Sequence, residues 1–420
     1  MTSELRVYYR DKLLGRLWLD EKRRFTFQYK QEWLDREDAI PLSLSLPLKP
    51  DIFADDLSRP FFGNLLPEAD VRKAVARNLG ISEGNDFSML EAIGGECAGA
   101  VSVLPAGVTA SDTGEYRALD DKELHEIVGS LTVRPFLAGR EGVRLSLAGV
   151  QNKLPIYLKD NKIFLPMGSR PSSHIIKPPI RGFLATVENE AFSMALAKRL
   201  GLPVPDSDIY RGIDTLYVVE RYDRVACSSG ELVRLHQEDF CQAMGIPPDQ
   251  KYESEGGPSL ESCFSLLREH SIRPAADIKE LINWVIFNYL IGNADAHGKN
   301  LALLFTDKGI TLAPFYDLLS TKVYDDLADK LSMKIGGENR PDWIQLRHWE
   351  RFAKSTSIKS RLIIDRLTHM SKIIVPIAME LAQEFVSRYG ENNIVDKIVG
   401  VITKHSKNVE LILNTNKTRE

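Results

Sequence analysis

Cysteine is scarce in this chain: four residues in 420 (Cys97, Cys227, Cys241 and Cys263), scattered and without a CxxC pair. That excludes a disulfide-stapled scaffold and a cysteine-built zinc site, and predicts a reduced, cytoplasmic chain. Cys241 and Cys263 fall in apolar helical stretches and are expected as core thiols. No apolar run reaches the roughly 18 residues of a membrane helix. The first residues also lack the charged-then-apolar form of a signal peptide, so no membrane partner is expected. Charge of one sign is scarce too, with 54 basic against 58 acidic side chains and a net charge of -4. This argues against a general nucleic-acid coat and leaves room for a local basic patch. Internal repeats, low-complexity tracts and heptad arrays are absent. What is present is ordinary globular composition, 43% hydrophobic and 27% charged, long enough for two or three domains with a sizeable core.

Leu5, Val7 and Tyr9, then Phe25, Phe27 and Tyr29, alternate with polar neighbours and predict an antiparallel meander over 5–30. The run PLSLSLPLKP from Pro41 to Pro50 alternates Leu with Ser between prolines, as an edge strand or extended segment does. Helices are predicted at 67–79, opened by Pro67 and Glu68 and closed by Gly80, and at 86–93. Residues 105–119, rich in Gly, Ser, Thr and Asp, end a first module. Strands are predicted near 143–147, 153–158, 162–166, 173–177, 207–211 and 215–220, interrupted by one helix at 188–200. Beyond 230 helices dominate, at 277–291, 342–354, 371–389 and 391–413, with short strands near 301–305 and 310–313. The expected domains are an N-terminal module over 1–110, a β-rich lobe over 130–225 and a helical lobe over 226–420.

The apolar helix ending at Ile291 runs directly into Gly-Asn-Ala-Asp-Ala-His-Gly-Lys-Asn300, and Pro314-Phe-Tyr-Asp317 follows after a strand, a turn and a strand. An Asp, an Asn five residues later and a further Asp reproduce the spacing of a phosphoryl-transfer site. There Asp295 would position or deprotonate a hydroxyl, while Asn300 and Asp317 would offer magnesium the hard oxygens it prefers. A lone Asp between a helix and a strand is ordinarily a turn or cap residue; the crowd of polar residues and the second Asp lower that reading. His297 holds a place where lipid-type kinases carry His, and a loop-shaping hydrogen bond weighs equally with a catalytic role. Lys299 could approach the transferring phosphate, though a solvated lysine is the simpler expectation.

Ser146-Leu-Ala-Gly-Val-Gln-Asn-Lys153 is neither a Walker A motif nor GxGxxG, but it precedes a candidate lysine strand. In a kinase small lobe a strand lysine contacts nucleotide phosphates and pairs with a glutamate on the next helix. Lys177, closing His174-Ile-Ile-Lys177, would be that lysine, with Glu190 the preferred partner and Glu188 the second choice; an edge charge reaching solvent is the plain alternative. Leu216-Tyr-Val-Val-Glu-Arg-Tyr-Asp-Arg224 turns from apolar to polar as a hinge does, with adenine read near Glu220 and Tyr222. Lys251-Tyr-Glu-Ser-Glu-Gly-Gly-Pro258 is a polar, Gly-rich loop, either a substrate edge or only a turn.

With these motifs in order, the chain resembles the HipA family of bacterial serine/threonine kinases, the toxins of HipB–HipA modules. PLSLSLPL, RPFFGNLLPE, GGECAGAVSVLP, SLAGVQNK, SHIIKPP, VVERYDR, RLHQEDFCQ, KYESEGGP, IGNADAHGKN and APFYDLLS carry the likeness over nearly the whole length. The resemblance implies an α+β, bilobal protein-kinase-like fold with a β-rich small lobe, an α-helical large lobe and an N-terminal α/β subdomain. It implies ATP and Mg2+ as cofactors, Asp295 as catalytic residue, and Asn300 and Asp317 as metal ligands. It assigns ATP binding to Leu147, Ala148, Gly149, Val150, Gln151, Asn152, Lys153, Lys177, Glu220 and Tyr222, and His297, Lys299, Asn300 and Asp317 complete the expected ATP-binding set. Ser146 matches an autophosphorylated serine whose modification shuts the enzyme down. The implied partners are a HipB-like helix-turn-helix antitoxin, operator DNA through that antitoxin, and an aminoacyl-tRNA synthetase substrate, most typically glutamyl-tRNA synthetase. His236 departs from the family pattern, which often has Pro there. A small-molecule or lipid kinase and a catalytically inactive corepressor are the competing readings.

Overall fold

A computed structural model of the chain describes residues 4–110, 114–139, 145–228 and 230–417. Two compact units emerge: Met1–Pro178 with Tyr210–Asp249 and Leu304–Thr306, and Pro179–Ile209 with Gln250–Leu303 and Asp307–Glu420. The mixed sheets and helices make an α+β protein, as expected.

In the first unit a four-stranded antiparallel sheet runs in the spatial order Phe25–Tyr29, Lys12–Leu19, Glu4–Tyr9, Val101–Pro105. The first three strands are the meander that the alternation predicts. The fourth, with Val103 opposite Val7, arrives from far along the chain and had no local signal. Gly15 sits where a side chain cannot: a Cβ would come within 2.6 Å of the Gln28 carbonyl oxygen. The helices Asp55–Gly63 and Asp86–Ile93 cover this sheet through Phe62 and Phe87, whose rings meet Phe25 edge-on at 6.4 and 6.1 Å. The Pro41–Pro50 run is an irregular extended segment rather than a strand, with a single bridge between Ser43 and Leu46. Its prolines lack ladder donors. Tyr29 holds it instead: the Leu42 N–H donates to the phenol oxygen at 2.7 Å, and the phenol donates to the Leu46 carbonyl at 2.5 Å.

The second sheet has six strands in the order Tyr116–Leu119, Lys162–Pro166, Leu154–Lys159, His174–Lys177, Thr215–Glu220, Ser207–Arg211. Its edge strand Tyr116–Leu119 lies inside the stretch expected to be a plain module boundary; residues 111–113 of that stretch are outside the described ones. The strand expected over 143–147 does not form across its described part. Residues 143 and 144 lie outside the described residues, and Leu145 makes one bridge, to Glu96. The helix Asp121–Ser130 was not anticipated, although Asp120 and Glu123 close a capping box at its start.

In the second unit Leu281, Ile282, Val285, Ile286, Tyr289 and Leu290 of the helix Pro274–Ile291 are all buried, as the periodicity demands. Tyr289 packs edge-on against Trp349 at 5.5 Å and stacks on His405 at 5.5 Å, joining it to the helices Leu346–Ser355 and Asn393–Lys417. The helix Ser360–Tyr389 begins well before the expected 371 and carries Pro376 inside it. Leu260–His270, capped by Ser259, is the apolar helical stretch expected around Cys263, which is buried in it. Among the described residues no helix is long and apolar enough to cross a membrane.

Candidate active site

The helix Pro274–Ile291 ends at Gly292, whose φ of 68° is natural for glycine and costly for other residues. A Cβ there would also approach Lys322 Cβ to 2.7 Å. The turn that follows is fixed from several directions. The Asn293 amide donates to Asn288 Oδ1 at 2.8 Å, and Asn293 Oδ1 accepts from the Asp295 N–H at 3.1 Å. The Ala294 N–H donates to Thr321 Oγ1 at 2.7 Å, and the Ala294 carbonyl accepts from the Ser332 hydroxyl at 2.6 Å. Asp295 therefore stands on a braced backbone, and the Tyr252 phenol donates to its Oδ1 at 2.8 Å.

The second half of the loop is a short turn over Gly298–Asn300. Asn300 Oδ1 accepts from the His297 N–H at 3.0 Å, and its Nδ2 donates to Asp317 Oδ2 at 3.1 Å. Asp317 holds a left-handed backbone, φ 60°, a conformation that Asp tolerates better than most residues and that gathers at functional sites. The segment around it is anchored by the Phe315 N–H donating to the Pro203 carbonyl at 2.7 Å and by Asn189, whose side chain exchanges two 2.8 Å hydrogen bonds with the Ser320 backbone. Asp295, His297, Lys299, Asn300 and Asp317 are thus gathered in one braced loop cluster of the second unit. Among the described residues no three His, Cys, Asp or Glu side chains form a metal cluster. One carboxylate beside one amide is instead the sparse, hard-oxygen donor set that magnesium accepts while keeping waters or phosphate oxygens.

Lys299 corrects the simpler expectation. It is buried, not solvated, in the tight turn whose Lys299 carbonyl accepts from the Tyr316 phenol at 2.5 Å. His297 is buried too, its ring edge-on to Tyr252 at 5.3 Å.

The remaining candidates belong to the first unit, except Glu188 and Glu190 on the helix Thr186–Arg199 of the second, where Glu190 is buried. Lys177 is buried at the end of its strand opposite Tyr217, with Nζ 5.7 Å from that ring, so the solvent-reaching alternative does not hold. Ser146 is fully buried; its hydroxyl donates to the Leu65 carbonyl at 2.8 Å and its N–H to the Glu96 carbonyl at 3.0 Å. After Leu147 the loop turns at Gly149, φ 113°, and Lys153 Nζ donates to the Ala148 carbonyl at 2.6 Å. Val150 is half exposed, the Gln151 amide donates to the Pro178 carbonyl at 3.1 Å, and Asn152 is partly buried. Glu220 is exposed opposite His174, and the Tyr222 hydroxyl donates to Gln237 Oε1.

Behind Glu220 lies a sealed charge cluster. Glu96, Arg221, Asp223 and Arg224 are buried, and Arg234 reaches in. Arg224 meets Glu96 at 2.8 Å, Arg234 at 2.5 Å and Arg221 at 3.3 Å, while Arg221 also grips Asp223 at 2.8 Å. The Ser172 hydroxyl donates to Glu96 at 3.0 Å. Burial alone would raise the Glu96 carboxyl; Arg234, Arg224 and Arg221 outweigh it and hold the group well below the carboxylate range. His236, the departure from the family pattern, is a buried structural residue. Its Nε2 lies 2.8 Å from the Leu42 carbonyl oxygen, and burial pushes its pKa down to about 4, so it is neutral.

Sequence reasoning missed Tyr252, Asn293 and Glu96. Tyr252 lies in the polar, Gly-rich loop whose sequence reads as either a substrate edge or only a turn. Glu96 draws its partners from residues 172, 221, 224 and 234, a grouping no local period exposes.

The sheets and helices define an α+β protein whose second unit gathers Asp295, Asn300 and Asp317 in one loop cluster. The HipA N-terminal domain family matches residues 5–104 and the HipA-like C-terminal domain family matches residues 145–384. The chain belongs to the HipA family of kinase toxins. It is 41% identical to the putative kinase Y4mE of Sinorhizobium fredii, over 94% of this chain and 97% of that protein. It is 32% identical to the serine/threonine-protein kinase toxin HipA of Shewanella oneidensis, over 89% of this chain and 88% of that one. The solved complex of Shewanella oneidensis HipA, HipB and operator DNA contains a chain similar to this one, with a TM-score of 0.83, 30% identity and coverage of 98% and 97%.

Proposed function

We propose that this protein is an ATP-dependent serine/threonine protein kinase in which Asp295 is the catalytic residue. The observation that carries the reading is the Asn300–Asp317 pair, 3.1 Å apart, in the same braced cluster as Asp295. Asp295 takes the proton of a substrate serine hydroxyl as that oxygen attacks the γ-phosphorus of ATP. The bond from the γ-phosphorus to the β–γ bridging oxygen breaks, and ADP carries away the electron pair. Asn300 and Asp317 would hold magnesium, which would supply positive charge against the phosphate oxygens. Lys177 and the Leu147–Lys153 loop bind the phosphates, Glu190 is the lysine's partner, and the backbone around Glu220 and Tyr222 takes the adenine. Catalysis is then chiefly positioning and electrostatics.

The family likeness supports a cytoplasmic toxin that arrests growth by phosphorylating an aminoacyl-tRNA synthetase, with glutamyl-tRNA synthetase the first candidate. The Shewanella protein was solved with HipB and operator DNA; by analogy a helix-turn-helix antitoxin restrains this chain and brings it to DNA. Ser146 is the self-inhibition site. Its buried hydroxyl becomes reachable only if the segment leaves its seat, and a phosphoserine's roughly -1.5 to -2 charges bar its return.

Phosphopeptide mass spectrometry after brief induction, with Asp295→Ala as control, tests this. Serine phosphosites should appear on host proteins with the wild type alone. Label confined to small metabolites selects the small-molecule or lipid kinase suggested by the Asp-Ala-His order. Undiminished toxicity of Asp295→Ala selects the inactive corepressor.

A further inference from the structure

The loop Lys251–Pro258 has no part in the scheme above, yet it delivers a phenol to the proposed base. We propose that Tyr252 is a positioning residue for phosphoryl transfer, holding the Asp295 carboxylate in the orientation that receives the substrate hydroxyl. This rests on the kinase reading.

The Tyr252 hydroxyl donates to Asp295 Oδ1 at 2.8 Å, across 43 residues of sequence. A side-chain base works only within hydrogen-bond reach of the proton it takes. A carboxylate free to rotate about its terminal bond presents either oxygen in many directions. The phenol bond to Oδ1 restricts that rotation and so holds the carboxylate in one presentation towards the acceptor. A phenol, ordinarily titrating near pH 10, does so without competing as a base at neutral pH.

The phenol is itself fixed. Its ring stands edge-on to His297, with centroids 5.3 Å apart and planes at 79°. The Gly257 and Glu255 N–H groups both donate to the Tyr252 carbonyl at 2.9 Å, closing the loop on itself. The Glu253 N–H donates to the Ser332 carbonyl at 3.3 Å, and the Ser332 N–H and hydroxyl both donate to the Ala294 carbonyl, at 3.0 and 2.6 Å. The Lys334 N–H donates to the Glu253 carboxylate at 2.6 Å, and Lys334 Nζ lies 3.5 Å from it. At the far end Pro258 packs so closely on Gly298 that a Cβ there would fall 2.5 Å from Pro258 Cγ. Ser332 thus ties the tyrosine loop and the catalytic loop into one body. A gate that had to swing away from Asp295 would be hung on a free segment; this loop is tied at both ends.

Tyr252→Phe removes one oxygen and keeps the ring. With γ-labelled magnesium ATP and host lysate protein as acceptor, kcat should fall about tenfold to hundredfold, the worth of one hydrogen bond to a charged group. The KM for ATP and the melting temperature should stay unchanged. In an Asp295→Asn background the same substitution should cost nothing further, because the two residues act as a unit. An unchanged or increased kcat in Tyr252→Phe overturns the proposal, the increase marking the phenol as an occupant of the acceptor position. The ring-carbon NMR signal of Tyr252 gives a readout free of turnover, and it should shift on Asp295→Asn. No shift, with a wild type that transfers phosphate, removes the positioning role and spares the kinase reading. A shift, with a wild type that transfers no phosphate at all, sinks the kinase reading and the catalytic role with it.

Discussion

Two groups of charged side chains do opposite jobs in this protein. Around Glu96, three arginines and two carboxylates are packed together, and each is gripped by an opposite charge. Around Asp295, the carboxylates are partly open, and the hydrogen bonds described for them come from a phenol and an amide. An arginine fork neutralises a carboxylate and locks it; a phenol or amide orients a carboxylate without cancelling its charge. The first arrangement spends its charge on holding the chain beside Ser146 and Arg221 in register. The second leaves its carboxylates partly open beside a phenol and an amide, the setting that the proposed chemistry calls for. A dense buried ion network is therefore a poor guide to where chemistry happens, even beside a proposed nucleotide-binding strand.

The contrast predicts opposite failures. Asp295→Asn should lower phosphoryl transfer by about 10²–10⁴-fold, the range for a positioned general base, and leave the thermal unfolding midpoint in place. Labelled-phosphate incorporation beside a calorimetric scan checks both. Glu96→Ala should do the reverse first, leaving buried arginines uncompensated at a cost of about 3–5 kcal/mol; urea denaturation reads it. A stable Glu96→Ala protein that has lost only activity would break the comparison.

Glu238 sharpens it through pH. Burial pushes its carboxyl up to about 8, against the Ser43 hydroxyl and the Leu44 N–H, which favour the charged form. Because the folded pKa is raised, the stabilisation is complete below the unfolded value near 4.5 and declines as pH rises towards 8. The wild type should lose up to about 1.4 kcal/mol per pH unit from this group across that window. Glu238→Gln should flatten the slope, measured as the urea midpoint from pH 5 to 7.5. On the open side, Gly292→Ala forces alanine into a φ of 68°, about 1–2 kcal/mol of backbone strain, and adds the crowding of its Cβ 2.7 Å from Lys322 Cβ. Its activity should drop with the turn that carries Asp295.

Much of the fold was legible along the chain. The helix ending at Ile291, its glycine stop and the strands that follow were readable because apolar periodicity and turn residues act between neighbours. The same holds for the first meander. Less visible were the strand Val101–Pro105, which pairs back to Glu4–Tyr9, and the edge strand Tyr116–Leu119, hidden in a stretch that reads as a boundary. Within the candidate site, Asp295, Asn300 and Asp317 could be picked out by spacing. The burial of Lys299, the left-handed backbone of Asp317 and the Tyr252 phenol could not.

By itself, then, the sequence determined the α+β class, the elements on either side of the Asp295 loop and membership in the HipA family, since periodicity, caps and ordered motifs are properties of adjacent residues. Only the tertiary structure decided which charges are sealed and which remain usable. Burial and hydrogen-bond partners are set by segments remote along the chain, as when residue 252 meets residue 295 and residue 96 meets residues 221, 224 and 234. Those surroundings determine whether a carboxylate is a rivet or a reagent.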